Sequence, residues 1–167
     1  MSKNTLAAVG AAILFTPILF SRISNPVVLD ASETPSDDLS SLYRVWQTQK
    51  FLNKYGSPLE SSSRKFVEVA ERYNLDWRLL TAISGIESTF GKYIPSNSFN
   101  PFGFANGQAQ FRSFDESIEV VGRYLLGMKK KGIDNVEVLG PIYTPPNFRN
   151  WISAVNFFME ELNDIQP

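Results

Sequence analysis

The 167-residue chain has no cysteine and no histidine. Without cysteine there is no disulfide framework. Without either residue, zinc sites and iron–sulfur clusters are excluded. The same two absences exclude Ser-His-Asp and Cys-His nucleophilic machinery. A metal would need an all-oxygen cage, and no EF-hand spacing is present. An excess of charge of either sign is also missing: 16 Lys and Arg face 17 Asp and Glu, net -1. No basic field attracts nucleic acid, and no acidic tract marks a disordered tail. Proton chemistry is left to carboxylates, tyrosines and lysines. What is present is ordinary for a globular protein, 43% hydrophobic and 20% charged, at a length that suits one domain.

The N-terminus reads as an export segment. Lys3 supplies a positive start, and Leu6 to Phe20 form an apolar run broken by Gly10, Thr16 and Pro17. That run suits a signal h-region and is short for a bilayer span. Leu29-Asp30-Ala31 is a poor cleavage site, so residues 1–31 are either a signal peptide or an uncleaved anchor touching the membrane through residues 6–20. Residues 32–38 read as a linker. The domain expected at 39–167 keeps a slightly acidic balance once Lys3, Arg22 and Asp30 are set aside.

From Asp37 onward the periodicity is helical. The first helix has Leu39, Leu42 and Trp46 on one stripe with Tyr43 beside it, and Gly56 stops it. A second follows the serines at 61–63, with Phe66, Val67, Ala70 and Tyr73 inward. Asp76 is the expected N-cap of a third helix running to about Phe90. Gly91 to Arg112, rich in Gly, Pro, Asn and Ser, is too broken for a helix and suits a small hairpin or ordered loop. Ser113 to Glu116 is a capping box opening a fourth helix that buries Ile118, Val121, Leu125 and Met128. Lys129 to Lys131 and Gly132 close it. A Pro-rich loop at 141–147 precedes a last helix using Trp151, Val155, Phe158 and Leu162. The expectation is a mainly α domain of about five helices, with a short hairpin insert between the third and fourth.

Glu87 is the informative residue. At about 100° per residue it falls roughly 20° from Leu80 and 40° from Ile83, inside the apolar arc of the third helix. A carboxylate against apolar neighbours is costly to ionise, so its pKa rises. A carboxylic acid that keeps its proton near neutral pH can protonate a leaving oxygen, as in glycoside cleavage. The plainer reading is a solvated or ion-paired helix glutamate. Gly85 and Ser88 leave room beside the carboxyl. The segment after the helix carries groups suited to sugars: Asn97, Asn100, Phe102, Phe104, Asn106, Gln108 and Gln110. Phe102 and Phe104 could equally be core.

These residues resemble a known family. Ala82 to Lys92 (AISGIESTFGK), Asn100-Pro-Phe-Gly-Phe104 and Phe111-Arg-Ser-Phe114 are similar to the lysozyme-like superfamily, of α+β fold. The nearest type is the bacterial glucosaminidase and lytic transglycosylase group, which cuts peptidoglycan glycan strands. The similarity spans roughly residues 60–165. By that resemblance Glu87 is the catalytic acid and Ser88 its neighbour. Asn100, Phe102 and Gly103 form the hairpin motif, and Tyr143 is the tyrosine near the acid. Gln110 and Phe104 join the substrate-binding set. No cofactor or metal is implied, and a monomer at the cell envelope or secreted is expected.

One departure matters: no acidic residue lies between Glu87 and Asp115. A hairpin carboxylate that could position water, as an inverting enzyme uses, is missing. A partner carboxylate for a retaining enzyme has no candidate either. The resemblance implies a way out, in which one Glu serves as acid and then base and the substrate's own N-acetyl or 6-hydroxyl group replaces the outside nucleophile. The product is then an anhydro end or a reducing end, with the bond cleaved left open. Tyr143 has two readings, one beside the reacting sugar and one as packing under the Pro-rich loop. The alternatives for the whole domain are a non-catalytic cell-wall glycan-binding module or a membrane-anchored interaction protein.

Overall fold

A computed structural model describes residues 39–167. The expected leader at 1–31 and linker at 32–38 lie outside the described residues. No helix among the described residues is long and apolar enough to cross a membrane.

The order is α1 (Leu39–Lys54), a single 3-10 turn (Glu60–Ser62), α2 (Ser63–Arg72), α3 (Leu79–Ser88), α4 (Phe114–Lys129), α5 (Val136–Tyr143) and α6 (Phe148–Asn163). The fold is mainly α, with six α-helices rather than five and no strand among the described residues. The extra helix is α5, where a loop had been expected from its prolines. Asn135 caps it, its side chain accepting from the Val138 N–H at 3.0 Å. Pro141 is the sixth of its eight residues and leaves the helix without the N–H that would reach the Glu137 carbonyl. The Pro-rich loop therefore shrinks to residues 144–147.

The expected hairpin does not form. Phe111 N–H donates to the Ser98 carbonyl at 2.8 Å, but no ladder follows. Asn97, Phe99, Gly103, Ala105, Asn106 and Gly107 all take positive φ, between 46° and 76°. A strand needs extended backbone at each residue, and repeated left-handed residues reverse the chain instead. The segment becomes a compact run of turns.

α3 sits in the middle, against α2, α4 and α6, while α6 also packs on α5 and α1. Every residue from Leu79 to Gly85 is buried. The helix begins later than Asp76. That residue instead opens the preceding turn, its carboxylate accepting the Arg78 N–H at 3.0 Å and its carbonyl the Leu79 N–H at 3.0 Å. α3 stops at Ser88 rather than Phe90, because Thr89 and Phe90 are both left-handed, φ 51° and 57°. This double reversal swings the Phe90 ring back onto the helix. A Cβ on Gly85 would stand 2.6 Å from that ring, so Gly85 makes room for Phe90 rather than for the carboxyl.

The Phe90 ring then packs within 5.2 Å of Phe51 and 5.0 Å of Phe158, centroid to centroid, closing the core between α1 and α6. α1 turns a different face inward than its stripe suggests. Leu39 is 81% exposed, and the buried residues are Gln47, Thr48, Phe51 and Leu52. The Gln47 amide donates to the Ile165 carbonyl at 3.0 Å, satisfying backbone left open beyond α6. On α3, Ile86 faces solvent at 40% exposure.

Candidate active site

Glu87 lies one residue from the end of α3, half-buried. Burial and a hydrogen bond act on its carboxyl in opposite directions. Burial pushes the pKa up, and a hydrogen bond from the Trp151 indole opposes it; burial wins and the net direction is upward. The Trp151 Nε1–H donates to Oε1 at 2.8 Å. On the other side the carboxyl meets Gly103. A Cβ there would be 3.2 Å from Oε2, and Gly103 has φ +60°. Both the space and the backbone conformation call for glycine.

Tyr143, the last residue of α5, is 4% exposed and stacks on the Trp151 ring, with centroids 5.1 Å apart and planes 27° apart. Its hydroxyl donates to the Phe102 carbonyl at 3.2 Å. Burial, then the neighbouring Glu87 and Tyr124, hold the phenol neutral well above its usual range. Tyr143 is therefore close enough to Glu87 to feel its charge, with a hydroxyl engaged by the main chain.

Several expected sugar-binding groups have other work. Ser88 is buried, donates to the Pro101 carbonyl at 2.7 Å and accepts from the Gly91 N–H at 2.8 Å. It pins the chain that follows α3. Asn100 is 1% exposed. Its amide accepts from the Phe104 N–H at 2.9 Å and donates to the carbonyls of Phe104 and Ala109 at 2.9 and 3.2 Å. It holds the turns around Gly103 together. The Phe102 ring is 1% exposed and packs against Phe66 in the core. Phe104 is half-buried, edge-on to Tyr124 at 5.4 Å. Gln110 is exposed, and no hydrogen bond among the described residues ties it to Glu87. The structure thus brings together Glu87, Gly103, Tyr143 and the Phe102 main chain.

Trp151 is the partner that sequence reasoning assigned to core alone. A signal was available: a buried indole needs an acceptor, and Trp151 lies on a helix otherwise apolar on that face. The next acids along the chain are engaged elsewhere. Asp115 accepts from the Ser62 hydroxyl at 2.6 Å, and Glu116 pairs with Arg112 at 2.7 Å. Glu119 pairs with Lys65 at 2.7 Å and Arg72 at 3.0 Å. No carboxylate contributes to the shift at Glu87. A separate depression of about 460 Å³, between the start of α1 and the end of α6, is lined by Tyr43, Arg44, Gln47, Trp77 and Asn163 among others and contains no acid.

No protein-family model, curated protein or solved structure matches the chain.

Proposed function

We propose that residues 39–167 form a domain that cleaves the β-1,4 glycan strand of peptidoglycan with Glu87 as its one acid and base. The observation that carries this reading is a half-buried carboxyl whose pKa is raised by burial and which has no cation or second acid acting on it. A group in that state keeps its proton to higher pH than an ordinary glutamate and can transfer it. Glu87 gives its proton to the glycosidic oxygen as the bond from that oxygen to the anomeric carbon breaks. The resulting carboxylate then takes a proton from the group that adds at that carbon. Water adds to leave a reducing end, and the sugar's own 6-hydroxyl adds to leave a 1,6-anhydro end. The absence of a partner carboxylate acting on Glu87 fits both routes, because the substrate's own N-acetyl or 6-hydroxyl group can take the place of an outside nucleophile.

The glycan lies against the end of α3 and the turns around Gly103. Main-chain groups there, rather than the side chains of Ser88, Asn100 or Phe102, face the sugar. Tyr143 acts behind the carboxyl by supporting Trp151.

Glu87→Gln keeps the shape and removes the proton. Soluble fragments released from purified sacculi, weighed by mass spectrometry, test the reading. Release should fall by at least a thousandfold, and the fragment mass from the parent reports an anhydro or a reducing end. Parent-level release by the variant refutes the assignment. Retention on sacculi with no release by the parent protein supports a binding module instead.

A further inference from the structure

We propose that Trp151 is a positioning residue that gives the two oxygens of the Glu87 carboxyl separate tasks, holding Oε1 and leaving Oε2 to carry the transferable proton. The inference rests on the reading of Glu87 as the acid. An indole N–H is a donor only. Its 2.8 Å bond to Oε1 makes that oxygen an acceptor in the neutral acid as well as in the carboxylate. The proton of the neutral form then resides on Oε2. That oxygen lies on the Gly103 side, 3.2 Å from where a Cβ on the glycine would stand. The oxygen not bonded by the indole is thus the one that faces a residue without a side chain.

The indole is itself fixed. It lies on α6, 4% exposed, stacked on Tyr143. The Tyr143 hydroxyl bonds to the carbonyl of Phe102, the residue before Gly103. A closed circuit therefore runs from the 102–103 segment through Tyr143 and Trp151 to Oε1, and from Oε2 back to Gly103. Oε1 is thereby tied through Trp151 and Tyr143 to Phe102, while Oε2 lies beside Gly103. An acid held this way needs no reorientation when the glycosidic oxygen arrives.

The groups able to influence its titration are few. Tyr143 of α5 is in electrostatic reach, and Tyr124 of α4 lies behind it; burial raises both phenols and keeps them neutral. No charged group from α3, α6 or the turns between α3 and α4 acts on Glu87. An N–H bonded to a carboxylate favours the ionised form, so removing this one raises the pKa of the acid.

Trp151→Phe in the full chain keeps a ring against Tyr143 and removes the N–H. The pH profile of fragment release should show its alkaline limb at higher pH than in the parent. At neutral pH kcat should fall at least tenfold while KM stays within twofold. The indole N–H signal of Trp151 in the NMR spectrum of the parent, assigned as the one that persists in both Trp46→Phe and Trp77→Phe, should move with pH, and Glu87→Gln should abolish that movement. An unmoved limb and parent kcat in Trp151→Phe, with Glu87→Gln inactive, overturns the inference and leaves the acid assignment standing. An active Glu87→Gln overturns the acid assignment, and the oxygen assignment falls with it. Should Trp151→Phe fail to fold, the indole titration decides: a signal that follows Glu87 supports the circuit, and a flat one refutes it.

Discussion

Replacing Gly103 by alanine separates two effects that the structure places at one residue. The first is conformational. Gly103 has φ +60°, and an L-residue in the left-handed region costs about 1–2 kcal/mol. For a domain of this size that lowers Tm by about 3–8 °C. The second effect is chemical. The new methyl would stand 3.2 Å from Oε2. A glycosidic oxygen must come within about 2.6–3.2 Å of the acid to receive its proton. Methyl and substrate then compete for one space, and either Glu87 shifts or the sugar stands off. A misplacement on the order of 1 Å costs about a hundredfold in rate, equivalent to about 2.7 kcal/mol.

Gly107 supplies the control. Its φ is +76°, yet a Cβ there meets nothing within 4 Å. Gly107→Ala should therefore show a comparable fall in Tm with fragment release near the parent rate. Gly103→Ala should show the same fall with release reduced at least a hundredfold. Thermal unfolding and release from sacculi, measured on both variants, complete the comparison. Equal release by the two variants would mean that Oε2 is not the oxygen that meets the substrate.

Phe102→Ala should destabilise by about 3–5 kcal/mol, because its ring fills the core against Phe66. Phe102→Leu should cost less and leave KM unchanged; weaker affinity for sacculi with an intact Tm would instead return the ring to the substrate side. At Glu119, burial alone would raise the pKa, but hydrogen bonds from Lys65 and Tyr73 and the charges of Lys65 and Arg72 outweigh it and hold the carboxyl at about 2. A depressed pKa contributes stability above the ordinary carboxylate range, and that stability disappears as pH falls from about 4.5 toward 2. The Tm advantage of the parent over Glu119→Gln should therefore be full at pH 7 and shrink across that interval, whereas parallel curves would show that the cluster contributes nothing through ionisation.

Legibility followed the strength of the local signal. Helix α4 was plain in sequence because Ser113 caps the Glu116 N–H and Ile118, Val121 and Leu125 all turn inward. α5 was hidden because its signal is a single Asn cap and eight residues, with Pro141 inside. The stripe on α1 was misplaced because its inward positions include Gln47 and Thr48, polar side chains satisfied by backbone that only the folded chain brings near or by the preceding turn. Glu87 was legible from angular position alone, since burial of its neighbours follows from helix geometry. Trp151 was not, because its bond to Glu87 joins residues 64 positions apart. Asn100 and Ser88 carried the right residue types for sugar contact, yet turns with many unpaired backbone groups claimed them first.

The abrupt stop of α3 acts on the chemistry as well as on the packing. Peptide dipoles along a helix add up to roughly half a negative charge at its carbonyl end, concentrated in the last turn. Glu87 occupies that turn, because Thr89 and Phe90 reverse the chain immediately beyond Ser88. A second negative charge on the carboxyl is opposed there by the axis of its own helix, by about 0.3–1 kcal/mol. The left-handed pair that folds Phe90 into the core thereby also places the acid at the electrostatic pole least hospitable to its conjugate base.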